Sequence, residues 1–128
     1  MNRFIRTVLA ASFLAILSAP VHAQEITEAQ VIAACSGTDT AACAALVVQL
    51  PAGSALLELA LSTAASAPIS VEAKVALLEI ATGRLSPLQA SRVTAAMAAN
   101  VPLSAVGRVL IAVQRTANPA VNEEASPA

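Results

Sequence analysis

Hydrophobic and polar positions along the chain recur at the spacing of short amphipathic α-helices, most completely over residues 70–83. Ser70 is a favourable N-cap, Glu72 lies in the first turn, where the helix dipole favours a negative charge, and Gly83 can take the left-handed conformation that ends a helix. Glu72 and Glu79 share a narrow polar line, while most of the remaining circumference is apolar. Such a helix requires neighbours on several sides, so we expect it at the centre of the fold.

The same pattern continues on both sides of that segment. Thr27 and Gln30 have the spacing of a capping box, and Ser86-Pro87-Leu88-Gln89 combines an N-cap, a proline at the first helical position and a glutamine at the third. Ser104 can open a last helix. We predict helices near residues 25–35, 39–50, 54–67, 70–83, 86–100 and 104–117.

In the helix that follows Ser86, the apolar line of Ala90, Val93 and Met97 is narrow. We therefore expect Gln89 and Arg92 to face water.

These signals predict an all-α fold, a small irregular bundle of five or six short helices, because the chain is rich in alanine and poor in β-branched runs. The alternative is a short α-solenoid of helix pairs, since Lys74-Val75, Arg92-Val93 and Arg108-Val109 recur at similar spacings. Two of these spacings together have the typical length of a helix-pair repeat. One helical domain is expected over residues 24–117. Residues 118–128 are polar and interrupted by proline, which predicts a disordered tail.

The first 23 residues have the order of a secretory signal peptide. Arg3 and Arg6 precede an apolar run over residues 7–19, and Val21 and Ala23 are the small residues expected before a cleavage site. We predict cleavage after Ala23 and a periplasmic or secreted protein. A retained membrane anchor is the alternative, although the apolar run is shorter than the ~20 residues of a spanning helix.

Cleavage would change the composition, because both phenylalanines and the single histidine, Phe4, Phe13 and His22, lie in the segment that is removed. All eight acidic residues follow Ala23, as do five of the seven basic ones, which leaves a formal net charge of −3. A chain without aromatic residues or a basic stripe is not expected to bind nucleic acid. The negative charge also disfavours attraction to an anionic lipid surface.

Cys35 and Cys43 are the two cysteines of the chain. They fall at the end of the first predicted helix and early in the second, so a helical hairpin would bring the thiols together near its turn. In an oxidising compartment this predicts a structural disulfide. The spacing is not Cys-x-x-Cys and no cation lies nearby, which disfavours a redox role. Two cysteines without histidine cannot supply the usual zinc ligands, and we expect no metal and no cofactor.

The remaining candidates for chemistry are Glu72, Glu79 and Lys74. Two carboxylates seven residues apart on a helix are separated by about 10.5 Å of rise, and no aromatic platform could hold a sugar beside them. Lys74, the single lysine, is expected to be solvated. With no histidine to activate a nucleophile, we predict that the protein is not an enzyme.

The leading hypothesis is an exported, non-catalytic helical protein that serves as an envelope accessory or protein-binding module, with another envelope or secreted protein as its partner. The alternative is a small periplasmic carrier or sensor of an apolar ligand, because helices lined by valine, leucine and alanine could leave a cavity between them.

Overall fold

The computed structural model describes residues 25–123, and the segment with the predicted signal peptide lies outside the described residues. Within this range the chain forms six α-helices, one turn of 3₁₀ helix and no β-strand, which confirms the predicted all-α fold. The helices are α1 (Glu28–Cys35), α2 (Thr40–Gln49), α3 (Ala55–Ala65), α4 (Val71–Ile80), α5 (Pro87–Ala98) and α6 (Val106–Thr116), with the 3₁₀ turn at Leu103–Ala105.

Side-chain caps start five of the six helices, so the local start signals in the sequence were correct. Ser70 Oγ accepts a hydrogen bond from the Ala73 N–H at 3.1 Å. Both predicted capping boxes, at the starts of α1 and α5, are formed with their reciprocal bonds. The exception is α6, which has no side-chain cap and begins at Val106 after the 3₁₀ turn rather than directly after Ser104.

The contacts between helices define two layers. In one layer α3 contacts both α1 and α5, and in the other α4 contacts both α2 and α6. Across the layers α1 contacts α2, α3 contacts α4, and α5 contacts α6. Three helix pairs are therefore stacked in order within this bundle of six short helices, as the helix-pair alternative describes.

The sequence echo that suggested this alternative does not mark the structural repeat. Lys74 on α4 is buried, whereas Arg92 on α5 and Arg108 on α6 are exposed. Moreover, α5 and α6 belong to different layers, so the three basic residues do not occupy equivalent positions.

The core lies between the two layers. Leu57 and Leu61 of α3 and Leu77 and Leu78 of α4 are fully buried, which places the middle pair at its centre as expected for residues 70–83. Much of the remaining core is alanine and valine, which brings the helix backbones close together. Within residues 25–123 no helix has the length and apolar character needed to cross a membrane.

The chain that follows α6 lies against the turns at one end of the helices. Ala117 forms an isolated parallel β-bridge with Leu85, and the Asn118 N–H donates to the Leu85 carbonyl at 2.9 Å. The structure therefore differs from the predicted disordered tail at residues 118–123, because the turns offer main-chain partners to a polar segment. Residues 124–128 of that predicted tail lie outside the described residues.

Candidate functional site

The two cysteines are bonded to each other. The Sγ atoms of Cys35 and Cys43 lie 2.06 Å apart, and both residues are buried. Cys35 is the last residue of α1 and Cys43 lies in the first turns of α2, so the bond closes the hairpin of the first helix pair. A bonded pair is consistent with an oxidising compartment.

Replacing Cys35 and Cys43 together with alanine should lower the free energy of unfolding by about 2.5 kcal/mol, because the disulfide restricts the unfolded chain by closing a short loop. Urea denaturation of the oxidised wild type and of the double variant measures the difference. The variant itself should be insensitive to reductant, while reduction of the wild type should reproduce most of the loss. A difference below about 1 kcal/mol would contradict this prediction.

The carboxylates of Glu72 and Glu79 both face solvent, as the sequence indicated. Glu72 Oε2 lies 3.4 Å from Arg108 Nη2 on the neighbouring helix α6. The pKa of Glu72 lies below its ordinary value. The main cause is a backbone N–H in the first turn of α4 that donates to the carboxylate, and the second cause is a hydrogen bond from the Arg108 guanidinium. Among residues 25–123 no cluster of three histidine, cysteine, aspartate or glutamate side chains is placed to hold a metal ion.

Lys74 is the largest departure from the expected site residues, because it is only 4% exposed. Its Nζ donates to the carbonyl of Ala65 at 2.8 Å and to the carbonyl of Asn100 at 3.0 Å. Ala65 is the last residue of α3, and Asn100 follows α5 directly after its C-cap. The expectation of a solvated lysine is wrong.

The two carbonyls explain why this position accepts a charged side chain. The last carbonyls of a helix have no partner within it and carry the negative end of the helix dipole. The Lys74 ammonium binds the last carbonyl of α3 and the Asn100 carbonyl just beyond the C-cap of α5, so it lies close to the negative ends of both helix dipoles. Lys74 therefore ties α4 to the ends of both α3 and α5.

Gln89 also faces the interior, so the expectation that it would contact water is wrong. It is fully buried, and its Oε1 accepts from the Ser86 N–H at 3.0 Å within the capping box. Its Nε2 donates to the carbonyls of Gly53 at 2.8 Å and Ser54 at 3.3 Å. One side chain thus caps its own helix and binds the turn before α3.

Arg92 faces water as expected, and it is paired. Its Nε lies 2.6 Å from Glu58 Oε2 on α3, and its Nη2 contacts the carboxylate of Glu123. The hydrogen bond with Glu58, followed by that with Glu123, raises the pKa of Arg92 above its ordinary value. This pairing holds the C-terminal segment, residues 118–123, against the layer of α3 and α5.

The turns that follow α2 and α4 repeat the same hydrogen bonds, and we call them, with residues 115–118, the turn ladder. Gly53 and Gly83 have positive φ angles of 76° and 71°, a conformation that favours glycine. The Gly53 N–H donates to the Arg84 carbonyl at 2.8 Å, and the Gly83 N–H donates to the Arg115 carbonyl at 2.9 Å.

The carbonyls of these two glycines are matched in the same way. That of Gly53 accepts from the side-chain amide of Gln89, and that of Gly83 accepts from the side-chain amide of Asn118 at 3.2 Å. The segment after α6 therefore occupies the place that the turn of a further repeat would take. A glycine shortly before a serine N-cap, in Gly53-Ser54 and again at Gly83 before Ser86, is the sequence signal that could have identified the ladder.

Large apolar side chains remain exposed on the first and last helix pairs. We define the outer apolar residues as Ile32, Val48, Leu88, Leu103 and Ile111. None of these residues lies on α3 or α4. Each of these two helices is covered by a neighbouring helix on both sides within its layer. Leu103, in the 3₁₀ turn before α6, is 91% exposed.

No known protein family matches the sequence, and comparison with curated proteins and with solved structures finds no significant similarity. The chemistry of the chain itself therefore has to indicate its function.

Proposed function

We propose that this protein is an exported, non-catalytic helical module that acts by binding another protein of the envelope or the extracellular space. The observation that carries this proposal is the exposure of Leu103. Pro102 precedes it, and the Ala105 N–H donates to the Pro102 carbonyl at 2.8 Å, so the turn holds the leucine away from the core. Burying such a side chain against a partner would contribute about 2 kcal/mol to binding. The isolated protein does not gain this free energy, because Leu103 stays exposed to water.

Three buried or half-buried polar side chains of the described region support a non-catalytic role. Lys74 and Gln89 are bound to main-chain carbonyls, and Arg84 donates to the carbonyls of Leu50 and Ile80 at the ends of α2 and α4. These three side chains join structural elements. Each donates hydrogen bonds to main-chain carbonyls, and none of these bonds goes to a titratable side chain.

Export is supported by two independent features of the chain. The N-terminal sequence has the basic, apolar and small-residue regions of a signal peptide, with the predicted cleavage after Ala23. The Cys35–Cys43 bond fits the oxidising compartment to which such a peptide leads.

Site-specific photocrosslinking in the native host tests the proposal. A benzophenone amino acid at position 103 should crosslink to one discrete protein, whereas the same probe at exposed polar Glu79 on α4 should not. Leu103→Ser should then reduce recovery of that partner, while Val48→Ser, on the far pair, serves as the matched control. Absence of a crosslinked protein at position 103 would refute the proposal. A stoichiometric lipid in native mass spectrometry would instead favour the apolar-ligand carrier.

A further inference from the structure

The loop between α5 and α6 carries the most exposed of the outer apolar residues. We call residues 99–105 the Leu103 loop, since Leu103 is 91% exposed within it. A surface loop is commonly mobile, and a side chain that is mobile before binding loses conformational entropy when a partner fixes it. The affinity of the site proposed above therefore depends on how firmly this loop is held in the free protein.

One hydrogen bond joins the Leu103 loop to another element among residues 25–123. Lys74 Nζ, on α4, donates to the Asn100 carbonyl at 3.0 Å. The other hydrogen bonds of the loop lie within α5, α6 or the loop itself. Val101 is half-buried against the core, but an apolar contact has no preferred direction. The bond from Lys74 therefore sets the orientation of the loop relative to the other helices.

The Lys74 ammonium is itself held at a fixed position. The side chain is only 4% exposed, and its Nζ also donates to the carbonyl of Ala65 at 2.8 Å. Ala65 is fully buried and ends α3, in the middle helix pair. The Asn100 carbonyl is thus tied through one side chain to the most enclosed part of the fold.

The chain between Asn100 and Leu103 has little conformational freedom. Val101 precedes a proline, which restricts its backbone to extended conformations. Pro102 has a φ of −60°, the angle that its ring imposes, and its carbonyl accepts a hydrogen bond from the Ala105 N–H at 2.8 Å. Fixing the Asn100 carbonyl therefore also fixes the direction in which Leu103 projects.

We propose that Lys74 is the positioning residue of the Leu103 site, because its ammonium holds the Leu103 loop in the conformation that a partner binds. The inference rests on the proposed function, since Lys74 acts only through Leu103. Lys74 itself is buried, so it contacts the loop and not the partner. It removes freedom of the loop that a partner would otherwise have to remove on binding.

Backbone amide relaxation of the exported protein, measured by NMR, tests the positioning and needs no partner. In the wild type the amides of Val101, Leu103 and Ser104 should have order parameters close to the rigid value of about 0.85. Lys74→Met fills the space of the lysine stem but donates no hydrogen bond, and it should lower these order parameters below about 0.6. Lys74→Arg retains a cation with donors for both carbonyls and should restore them.

Gly53→Ala is the matched control, because it should destabilise the fold by a similar amount at the opposite end of α3. It leaves the bonds of Lys74 in place, so the order parameters of the Leu103 loop should keep their wild-type values. Photocrosslinking from position 103 supplies the functional measurement. The yield per folded molecule should fall at least about fivefold in Lys74→Met and should be unchanged in Gly53→Ala and Lys74→Arg.

Unchanged order parameters in Lys74→Met would overturn the inference whether or not a partner is found, and so would an equal loss in Gly53→Ala. A crosslinking yield that Lys74→Met leaves unchanged would also overturn it, while the proposed function would stand. Absence of any crosslink in the wild type would refute the proposed function, and with it the role assigned to Lys74, even where the relaxation data show that Lys74 holds the loop.

If Lys74→Met does not fold, the wild type decides. Lys74 is the single lysine of the chain, so it gives one side-chain ammonium signal. Hydrogen bonds to both carbonyls should slow the exchange of the ammonium protons with water, and slow exchange together with a rigid loop supports the inference. Fast exchange, or order parameters below about 0.6 in the Leu103 loop, refutes it.

Discussion

Replacing Lys74 with methionine is expected to lower the free energy of unfolding by about 3 kcal/mol, although it removes a charge from the protein interior. Methionine fills the space of the lysine stem but cannot donate a hydrogen bond. The carbonyl of Ala65, a fully buried residue, would lose its ammonium partner, and that of Asn100 would have to bind water. An orphaned buried acceptor costs about 1–3 kcal/mol, in addition to the lost charge-assisted bonds.

Relief of the desolvation of the ammonium opposes this loss. A buried ion pair can be replaced by apolar residues without cost when both partners are removed together. Here the partners are main-chain carbonyls that remain in place, so the unfavourable contribution dominates. Thermal and urea unfolding of the variant measure the result, with Arg115→Met as the control, because Arg115 is exposed and its loss should cost under about 1 kcal/mol. A Lys74→Met protein as stable as the wild type would show that the two carbonyls do not depend on the ammonium.

Helix starts could be predicted from the sequence because their determinants are local. A serine or threonine cap and a glutamine three residues later satisfy main-chain groups within one turn, whatever the rest of the chain does. The capping boxes of α1 and α5 and the cap at Ser70 were identified in this way. The disulfide could be predicted for the same reason, since Cys35 and Cys43 flank one hairpin turn.

The burial of Lys74 and Gln89 was not predicted, although their spacing from apolar residues of the same helix indicated it. Lys74 lies three and four residues before Leu77 and Leu78, and Gln89 lies four residues before Val93, so both fall on apolar faces. The general tendency of charged and amide side chains to face water led to the opposite expectation. Their partners lie in other helices and turns, at positions that only the assembled stack brings together.

The order of stacking could not be decided from local signals either. A bundle and a stack of pairs require the same short amphipathic helices, and they differ only in which helices touch. The repeat becomes visible in the turn ladder, where Gly53 and Gly83 make corresponding bonds to segments that follow them in the chain. The ladder also accounts for residues 118–123, whose polar composition alone indicated disorder. Asn118 is held there by main-chain groups of the preceding turn.

Replacing Gly53 with alanine is expected to lower the free energy of unfolding by about 3 kcal/mol, through two separate effects. A residue with a side chain at a φ of 76° is strained by about 1 kcal/mol or more. In addition, the new Cβ would overlap the carbonyl oxygen of Asn122 and lie 2.9 Å from Val121 Cγ1, so the C-terminal segment would have to lift away. Lifting it would separate Glu123 from Arg92.

Gly83→Ala separates the two effects of the Gly53 substitution, because Gly83 has a similar φ of 71° but a Cβ added there would meet no atom within 4 Å. It should therefore lose only the conformational part, about 1 kcal/mol. Urea unfolding of both variants gives the difference, expected to be about 2 kcal/mol, and limited proteolysis should cut residues 118–123 faster in Gly53→Ala alone. Equal losses and equal cleavage in the two variants would mean that the C-terminal segment contributes nothing to stability, and that Gly53 is required for its backbone conformation only.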